Sequence, residues 1–380
     1  MCFMFPLLTA ALSCLVYLGK VNVPSTSVLS PAFCIALTLA LLNSQKVAEG
    51  DLIAYLNYFK ELEGLSLIEV SLLYINEPIF YLLAWVFGHI FSFSDFTFKF
   101  CFSFVGYFSL LFATGKIMIG IGFSRKQIIL GSLIVALSTT VFANSLHLIR
   151  QFVSLSFLTL ALSSRTSAWK YLGFLLAFLT HISSGVLIAF YFIASANNIT
   201  KLLLFLGLIF TEKLLSIIIF LANLTGLNPL LYLAVRVSSE TFHDMPGLSS
   251  TALLFLVVTL VFLGRLFVIK RNYCAQDGRQ NVPLLPKAMY EMNIYTGISV
   301  LVLQLVLGLY EPAARLMFSY IILTMISIAS SLYFLRIDSL FLGLGGAILM
   351  INFSFGLVYG TWNYSNLEQT LGCFLICRNL

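Results

Sequence analysis

Apolar runs of about 15–20 residues, separated by short polar connections, follow one another along most of the 380-residue chain. A run of this length with few charges is typical of a helix that crosses a lipid bilayer. The pattern therefore predicts an all-α fold, namely a polytopic integral membrane protein with about 10–12 transmembrane helices. The first run, residues 3–18, lacks the basic start of a signal peptide. We expect it to be a retained span of a single membrane domain that covers residues 1–380.

The longest polar stretch, residues 43–97, separates the second predicted span from the third. It contains a short apolar run, residues 79–94, that is interrupted by Gly88 and His89. About 16 residues are too few for an easy crossing, so this run is predicted to form a re-entrant or interfacial helix. The stretch also carries several acids and three tyrosines, Tyr55, Tyr58 and Tyr74. That combination suits contact with carbohydrate, although a solvated loop has a similar composition.

The distribution of charge gives the orientation of the predicted spans. Only 9% of the residues are charged, against 60% hydrophobic, and the net charge of +6 is spread over short connections. Because no basic patch results, nucleic acid is excluded as a partner. Basic residues concentrate on the cytoplasmic side of membrane proteins, and residues 270–291 form a strongly basic connection. We therefore place residues 270–291 in the cytoplasm and the loops of residues 43–97 and 223–250 in the periplasm.

An arginine just inside an apolar segment marks the most unusual stretch, residues 144–156. Treated as one helix with 100° per residue, the stretch places its polar side chains within an arc of about 120°. A cation beside lipid costs roughly 2.5–3.5 kcal/mol, so this polar stripe is predicted to face a protein-lined, wet cavity. The alternative is that Arg150 lies near the interface and extends to lipid headgroups. The stripe consists of Asn144, His147, Arg150, Gln151 and Ser154.

With this orientation, many ionisable residues collect on the outer side of a very apolar chain. Arginine binds phosphate oxygens through paired N–H groups, and a carboxylate or an imidazole can accept the proton of a hydroxyl. The set therefore suits an enzyme that deprotonates a hydroxyl while it holds a pyrophosphate. Its members are Asp51, Glu77, His147, Arg150, His181, Arg236, Glu240, His243, Asp244, Glu311 and Arg315.

Simpler structural explanations exist for some of these residues. Glu311 and Arg315 have the spacing of an i,i+4 helical ion pair, and His181 has the setting of a hydrogen-bonded core histidine. No H-x-x-x-H, H-x-x-E or D-x-D spacing occurs on the external side, and the chain has no Walker loop or G-x-G-x-x-G motif. We therefore expect no metal and no cofactor, and substrates that are lipid-linked and already activated.

Four segments together resemble one family, the EpsG/Wzy group of polysaccharide polymerases. Residues 50–59 (GDLIAYLNYF) resemble its G-x-D-x-x-x-Y loop signature, and residues 76–87 (NEPIFYLLAWVF) its E/D-P-x-[FY] segment. Residues 148–162 (LIRQFVSLSFLTLAL) resemble its I-R-Q helix, and residues 178–188 (FLTHISSGVLI) its H-x-S helix. These segments occur in the family's order. The C-terminal half is similar only in its apolar character and in residues 314–320 (ARLMFSY).

The resemblance implies a multi-pass enzyme of the bacterial inner membrane. Such an enzyme joins repeat units of an O-antigen or a similar glycan, carried on undecaprenyl pyrophosphate, at the periplasmic face. The catalytic residues that the resemblance implies are Asp51, Glu77, Arg150 and His181. Arg236 and Gly247 additionally fit an R-x10-G pattern of some Wzy polymerases. The implied partners are the lipid-linked glycan, membrane lipid, a chain-length regulator and a flippase.

The sequence thus leads to the hypothesis of a glycosyltransferase-type repeat-unit polymerase. A sugar hydroxyl of a new repeat unit would attack the anomeric carbon of the growing chain. The leaving pyrophosphate would be neutralised by Arg150, together with Arg236 or Arg315. The base would be one of Asp51, Glu77 and His181. The substrate-binding residues would be His147, Gln151, Arg236, Glu311 and Arg315.

Two other functions are compatible with an outer-face site of this kind. A repeat-unit flippase or another transporter would have an internal repeat and charges along a central path, whereas the sequence shows no repeat and gathers its charges toward one face. A membrane glycosyltransferase or acyltransferase that modifies the glycan would share the outer-face site. Loss of a polymerase leaves single capped repeat units, whereas loss of a modifying enzyme leaves long chains.

Overall fold

The computed structural model describes residues 28–164, 166–194, 287–306 and 310–332, together with isolated positions between 220 and 349. Every regular element in these ranges is helical, which confirms the predicted all-α fold class. The α-helices of the described ranges are α1 (Leu29–Ser44), α2 (Asp51–Glu61), α3 (Leu67–Leu73), α4 (Pro78–Ile90), α5 (Asp95–Ile121), α6 (Arg125–Ala136), α7 (Thr139–Asn144), α8 (Ile149–Leu162), α9 (Ser167–Thr180), α10 (Ser184–Ala194), α11 (Lys287–Leu301) and α12 (Tyr310–Ser331).

Several predicted elements lie outside the described residues. These are the first span at residues 3–18, the second periplasmic loop at 223–250, most of the cytoplasmic connection at 270–291, and the final apolar run at 339–359. Their positions relative to the membrane stay predictions.

Two helices of the described ranges have the length and apolar composition that a membrane crossing requires, α5 and the segment Pro312–Ser330 of α12. Four further apolar helices are shorter, namely α1, α4, α8 and α10. With 13 residues, α4 is about 20 Å long, whereas the hydrocarbon core of a bilayer is roughly 30 Å thick. The helical state of this run is confirmed. Its re-entrant or interfacial position and the total number of crossings stay predictions.

The predicted loop of residues 43–97 is largely helical. Helices α2, α3 and α4 follow one another in it, with a 3-10 helix at Leu62–Gly64 after α2. Local sequence starts two of these helices, because Ser66 and Glu69 form a reciprocal capping box before α3 and Pro78 occupies the first position of α4. Their buried apolar side chains share one core with α5 and α8. The segment is therefore a small helical layer packed against these two longer helices.

Small residues allow α8 to approach both of its neighbours closely. A Cβ atom at Gly106 of α5 would lie 2.4 Å from a ring carbon of Phe152 on α8. A Cβ atom at Gly173 of α9 would lie 3.0 Å from the Cα of Ala161 on α8. Such contacts are common where helices pack tightly in membranes. Helix α8 is thus fixed on two sides, and it is the helix that carries Arg150.

The prediction of one continuous helix over residues 144–156 is wrong. Helix α7 ends at Asn144, residues 145–148 form a turn, and α8 begins at Ile149. Asn144 and His147 therefore do not share a helical stripe with Arg150.

Polar groups from another part of the chain bind the backbone at this break. The Nζ atom of Lys46 donates to the carbonyl oxygen of Phe142 and, at 3.5 Å, to that of Ala143. The side-chain amide of Asn43 donates to Ser145 Oγ at 2.9 Å. A continuous helix would use the two carbonyls for its own i,i+4 hydrogen bonds, and Lys46 satisfies them instead. Helix α7 can therefore end without unpaired buried acceptors at these two positions.

The chain divides into two compact units, one formed by Met1–Ser184 with Ile328–Leu380 and the other by Gly185–Ser327. In the second unit, α11 and α12 are joined by a hydrogen bond from Asn293 Nδ2 to Thr324 Oγ1 at 3.2 Å. The candidate site described next lies entirely in the first unit.

Candidate active site

The carboxylate of Glu77 lies at the centre of the candidate site. Glu77 directly precedes α4, but its side chain does not cap that helix. Its two oxygens instead contact Arg150 of α8 and His181 at the end of α9. Only 9% of the Glu77 side chain is exposed. One buried acid therefore connects residues that are 73 and 104 positions away in the sequence.

Arg150 is held by this acid on one side and by a tyrosine on the other. Its Nη1 atom donates to Glu77 Oε2, and its Nε atom donates to the hydroxyl of Tyr55 at 3.2 Å. The guanidinium carbon lies 5.0 Å from the centroid of the Tyr55 ring, within the range of a cation–π interaction. A guanidinium has five N–H donors, so these two bonds leave further donors that can bind an anion. The side chain is 23% exposed and contacts protein groups. A wet cavity around it stays a prediction.

His181 ends α9 and directs its ring toward Glu77. Its backbone is extended, with φ −157° and ψ 119°, and its N–H donates to the carbonyl of Ala177 at 3.0 Å. The same carbonyl accepts a hydrogen bond from Ser154 Oγ at 2.8 Å, so Ser154 ties the end of α9 to α8. A carboxylate can only accept, which places the proton of the imidazole on the Nδ1 atom that contacts Glu77. In the neutral ring, Nε2 is then free to accept a proton.

The charge state of Glu77 helps to assign the roles of these groups. Burial raises the pKa of this carboxyl, but the hydrogen bond from His181 and the charge of Arg150 outweigh burial and hold the pKa below its usual value. Glu77 is therefore ionised at neutral pH, and a carboxylate with a lowered pKa is a weak base. This favours His181 over Glu77 as the proton acceptor.

Asp51, the fourth predicted catalytic residue, lies apart from this cluster. It is the exposed first residue of α2 and precedes Tyr55 by four positions, so both lie on one face of the helix. Among the described residues, no ion pair or side-chain hydrogen bond joins Asp51 to Glu77. The structure therefore brings together three of the four predicted catalytic residues and places Asp51 one turn from the tyrosine that binds Arg150.

The predicted substrate-binding residues have different positions. His147 is half-buried in the turn before α8, and Gln151 is buried next to Arg150. Glu311 and Arg315 lie in the first two turns of α12, and Arg236 lies outside the described residues. Any contact of Glu311, Arg315 or Arg236 with the lipid-linked substrate stays a prediction.

Within the described ranges, no group of three or more His, Cys, Asp and Glu side chains is arranged to hold a metal ion. The expectation of a site without metal or cofactor stays a prediction.

Gly50 has a backbone conformation that other residues avoid, with φ 55° and ψ −131°. A Cβ atom there would also lie 3.0 Å from Cε1 of His147. We expect Gly50→Ala to lower the free energy of unfolding by about 1–3 kcal/mol, because the strained φ and the contact with His147 add up. Thermal unfolding of the purified protein in detergent would measure the change. Gly64→Ala is the matched control, because a Cβ at Gly64 meets nothing within 4 Å. Equal melting temperatures for both variants would contradict the expectation.

Sequence reasoning missed two lysines and gave Tyr55 only a possible role in carbohydrate contact. Lys99 Nζ donates to the carbonyl of Lys46 at 2.8 Å, and Lys46 in turn holds the end of α7. Both lysines are buried. The available signal was the position of Lys99 inside the apolar run of α5, since an ionisable residue there needs a polar partner.

Comparison with known protein families identifies one match. A sequence model of the EpsG family matches residues 30–370, a range that contains Glu77, Arg150 and His181. No curated protein and no solved structure matches the chain.

Proposed function

Because the chain belongs to the EpsG family, we propose that it is a polymerase that joins lipid-linked oligosaccharide repeat units into a surface polysaccharide. The family indicates a polysaccharide-related, polymerase-type function, and the long apolar helices indicate a membrane protein. In our proposal the units are those of an O-antigen or a related glycan on undecaprenyl pyrophosphate. The reaction takes place at the periplasmic face of the bacterial inner membrane, which the chain crosses several times. A flippase supplies the units, and a chain-length regulator acts with the polymerase.

The observation that supports this proposal is that one buried carboxylate holds a guanidinium and an imidazole in the same site. A hydroxyl of the acceptor sugar gives its proton to His181 Nε2, and its oxygen forms a bond to the anomeric carbon of the donor. The bond between that carbon and the pyrophosphate oxygen breaks. The lipid pyrophosphate leaves with the electron pair of this bond, and the remaining N–H donors of Arg150 bind the charge that develops. Glu77 positions the ring of His181 and stabilises its protonated form.

The phenotype of cells that lack this chain tests the proposal. We expect these cells to display single capped repeat units, and we expect the intact gene on a plasmid to restore the ladder of chain lengths on a glycan gel. Purified full-length protein in lipid nanodiscs should convert lipid-linked repeat units into oligomers and release undecaprenyl pyrophosphate. Long chains in the deletion strain would contradict the proposal in favour of a modifying enzyme. Repeat units that stay on the cytoplasmic face would contradict it in favour of a flippase.

A further inference from the structure

Stacked tyrosine rings adjoin the Glu77 cluster. Tyr81 lies in the first turn of α4 and interacts electrostatically with both Arg150 and Glu77. The ring of Tyr74, which precedes α4, is stacked on the ring of Tyr81, with the centroids 3.8 Å apart and an interplanar angle of 15°. Tyr55 of α2 accepts the hydrogen bond from Arg150 Nε, and its ring centroid lies 5.0 Å from the guanidinium carbon. The stacked pair belongs to the same packed cluster as this ring.

The aromatic surface continues to the outside of the protein along α2. Tyr58 follows Tyr55 by three positions on this helix and is 42% exposed. Burial raises the pKa of Tyr74, and the charges of Glu61 and Tyr58 raise it further. Glu61 is the exposed last residue of α2. Tyr55, Tyr74 and Tyr81 share one packed cluster, and Tyr58 lies one turn from Tyr55 on α2. We call these four residues, Tyr55, Tyr58, Tyr74 and Tyr81, the tyrosine row.

We propose that the tyrosine row is a sugar-binding subsite that holds a pyranose ring of the repeat unit beside Arg150 and His181. The inference rests on the proposed function, because it specifies the substrate group that the same site binds. A pyranose ring presents apolar C–H faces that pack on aromatic rings, while its hydroxyls need hydrogen-bond partners. Tyr58 is 42% exposed and Tyr74 is half-buried, so these two can present an aromatic face and a hydroxyl that can donate and accept. Tyr55 and Tyr81 are buried and support them, because Tyr81 stacks on Tyr74 and Tyr55 contacts Arg150.

The charges along the row restrict the sugar that it can bind. Three exposed carboxylates, those of Asp51, Glu61 and Glu63, lie on α2 or directly after it. The nearby cation, Lys60, forms an ion pair with Asp95 at 2.8 Å. A uronic acid would meet like charges here, whereas a neutral sugar or an amino sugar would not. Along the row, the cation of Arg150 lies beside Tyr55, the carboxylates of Glu61 and Glu63 lie beyond Tyr58, and Asp51 lies one turn before Tyr55. That order matches a substrate with an anionic pyrophosphate at one end and an uncharged or amino sugar next to it.

Binding of the lipid-free oligosaccharide separates this inference from polymerisation. The probe is the oligosaccharide that mild acid releases from the lipid-linked glycans of the source cells. Saturation-transfer NMR would measure its affinity for the full-length protein in nanodiscs. We expect Tyr74→Ala and Tyr58→Ala to bind it about tenfold more weakly than the wild type, because each loses a packing ring. We expect Tyr74→Phe, which keeps the ring, to stay within about threefold.

A tyrosine outside the row provides the matched control. Tyr171 is 57% exposed on α9, and Tyr171→Ala should bind the probe as the wild type does. Wild-type affinity in both alanine variants of the row would overturn the inference and leave Tyr74 as a packing residue over Tyr81. If Tyr74→Ala does not fold, the affinity of Tyr58→Ala alone tests the inference. The Tyr58 side chain is 42% exposed, so its removal should not unfold the protein.

The two proposals fail in different ways. Oligosaccharide binding that depends on the row, in a protein that does not polymerise, would support the sugar subsite and contradict the polymerase. Normal polymerisation with binding that is insensitive to both alanine substitutions would contradict the sugar subsite only.

Discussion

Arg150→Lys is expected to abolish long glycan chains as completely as Arg150→Ala, although lysine keeps the positive charge. Arg150 uses separate atoms of its planar guanidinium for Glu77 and for Tyr55, and it lies over the Tyr55 ring. An ammonium group cannot make these contacts and also present paired donors to a pyrophosphate. Loss of such a donor lowers the rate of related reactions by about 10²–10³-fold. Glycan ladders and the amount of protein in the membrane would be measured in the same cells.

An arginine outside the site is the control for this substitution. Arg125 begins α6, and Arg125→Lys should leave the ladder unchanged. A normal ladder from Arg150→Lys would contradict the role in pyrophosphate binding. It would leave Arg150 as a structural partner of Glu77 and Tyr55.

Glu77→Ala is expected to destabilise the protein by about 3–5 kcal/mol, because it leaves the buried charge of Arg150 without its acid. Glu77→Gln keeps the size and an acceptor oxygen, so we expect a smaller loss of stability but a comparable loss of activity. Melting temperatures in detergent and glycan ladders would separate the two effects. The double variant Glu77→Ala with Arg150→Ala should recover part of the lost stability and none of the activity. A fully stable and active Glu77→Ala would show that the buried pair serves neither purpose.

The lowered pKa of Glu77 also predicts how the stability of the protein depends on pH. The pKa of Glu77 is lowered in the folded protein, so its contribution to stability is complete above the unfolded-state pKa of about 4.3. The contribution is lost as the pH falls through the lower, folded-state pKa. The melting temperature of the wild type should therefore fall more steeply in acid than that of Glu77→Gln. Parallel curves for the two proteins would contradict the assignment of a charged Glu77.

The three side chains that meet at the site could be predicted from the sequence because polar residues stand out in or beside apolar runs. Arg150 and His181 each interrupt such a run, and Glu77 directly precedes one. Their residue types suit anion binding and proton transfer, and the structure joins these three side chains. Asp51 is predicted instead from its place in the outer loop and from the family resemblance, and it lies on the surface of α2, because an acid in a polar stretch has no need of a buried partner.

The local backbone around Arg150 could not be predicted in this way. A period of 100° per residue describes residues 144–156 as one helix, and nothing within that stretch contradicts it. The break after Asn144 depends on Lys46, which is 96 positions away from Phe142 in the sequence. Helices α2 and α3 could not be predicted for a related reason. With 11 and 7 residues they are too short to give the signal of a membrane span, and they are stabilised by packing in the core that they share with α5 and α8.

The sequence separations within the Glu77 cluster have a consequence for biosynthesis. Glu77 leaves the ribosome 73 residues before Arg150 and 104 residues before His181. At about 5–20 residues per second, both partners are absent for several seconds. During that time an ionised Glu77 can be satisfied only by water, since an unpaired charge is costly in lipid. In a newly made chain, Glu77 must therefore stay in contact with water or be protonated until α8 and α9 have been made and have packed against it. Mutations that slow the packing of α8 should thus expose α4 to proteases during synthesis, even where the finished protein would be stable.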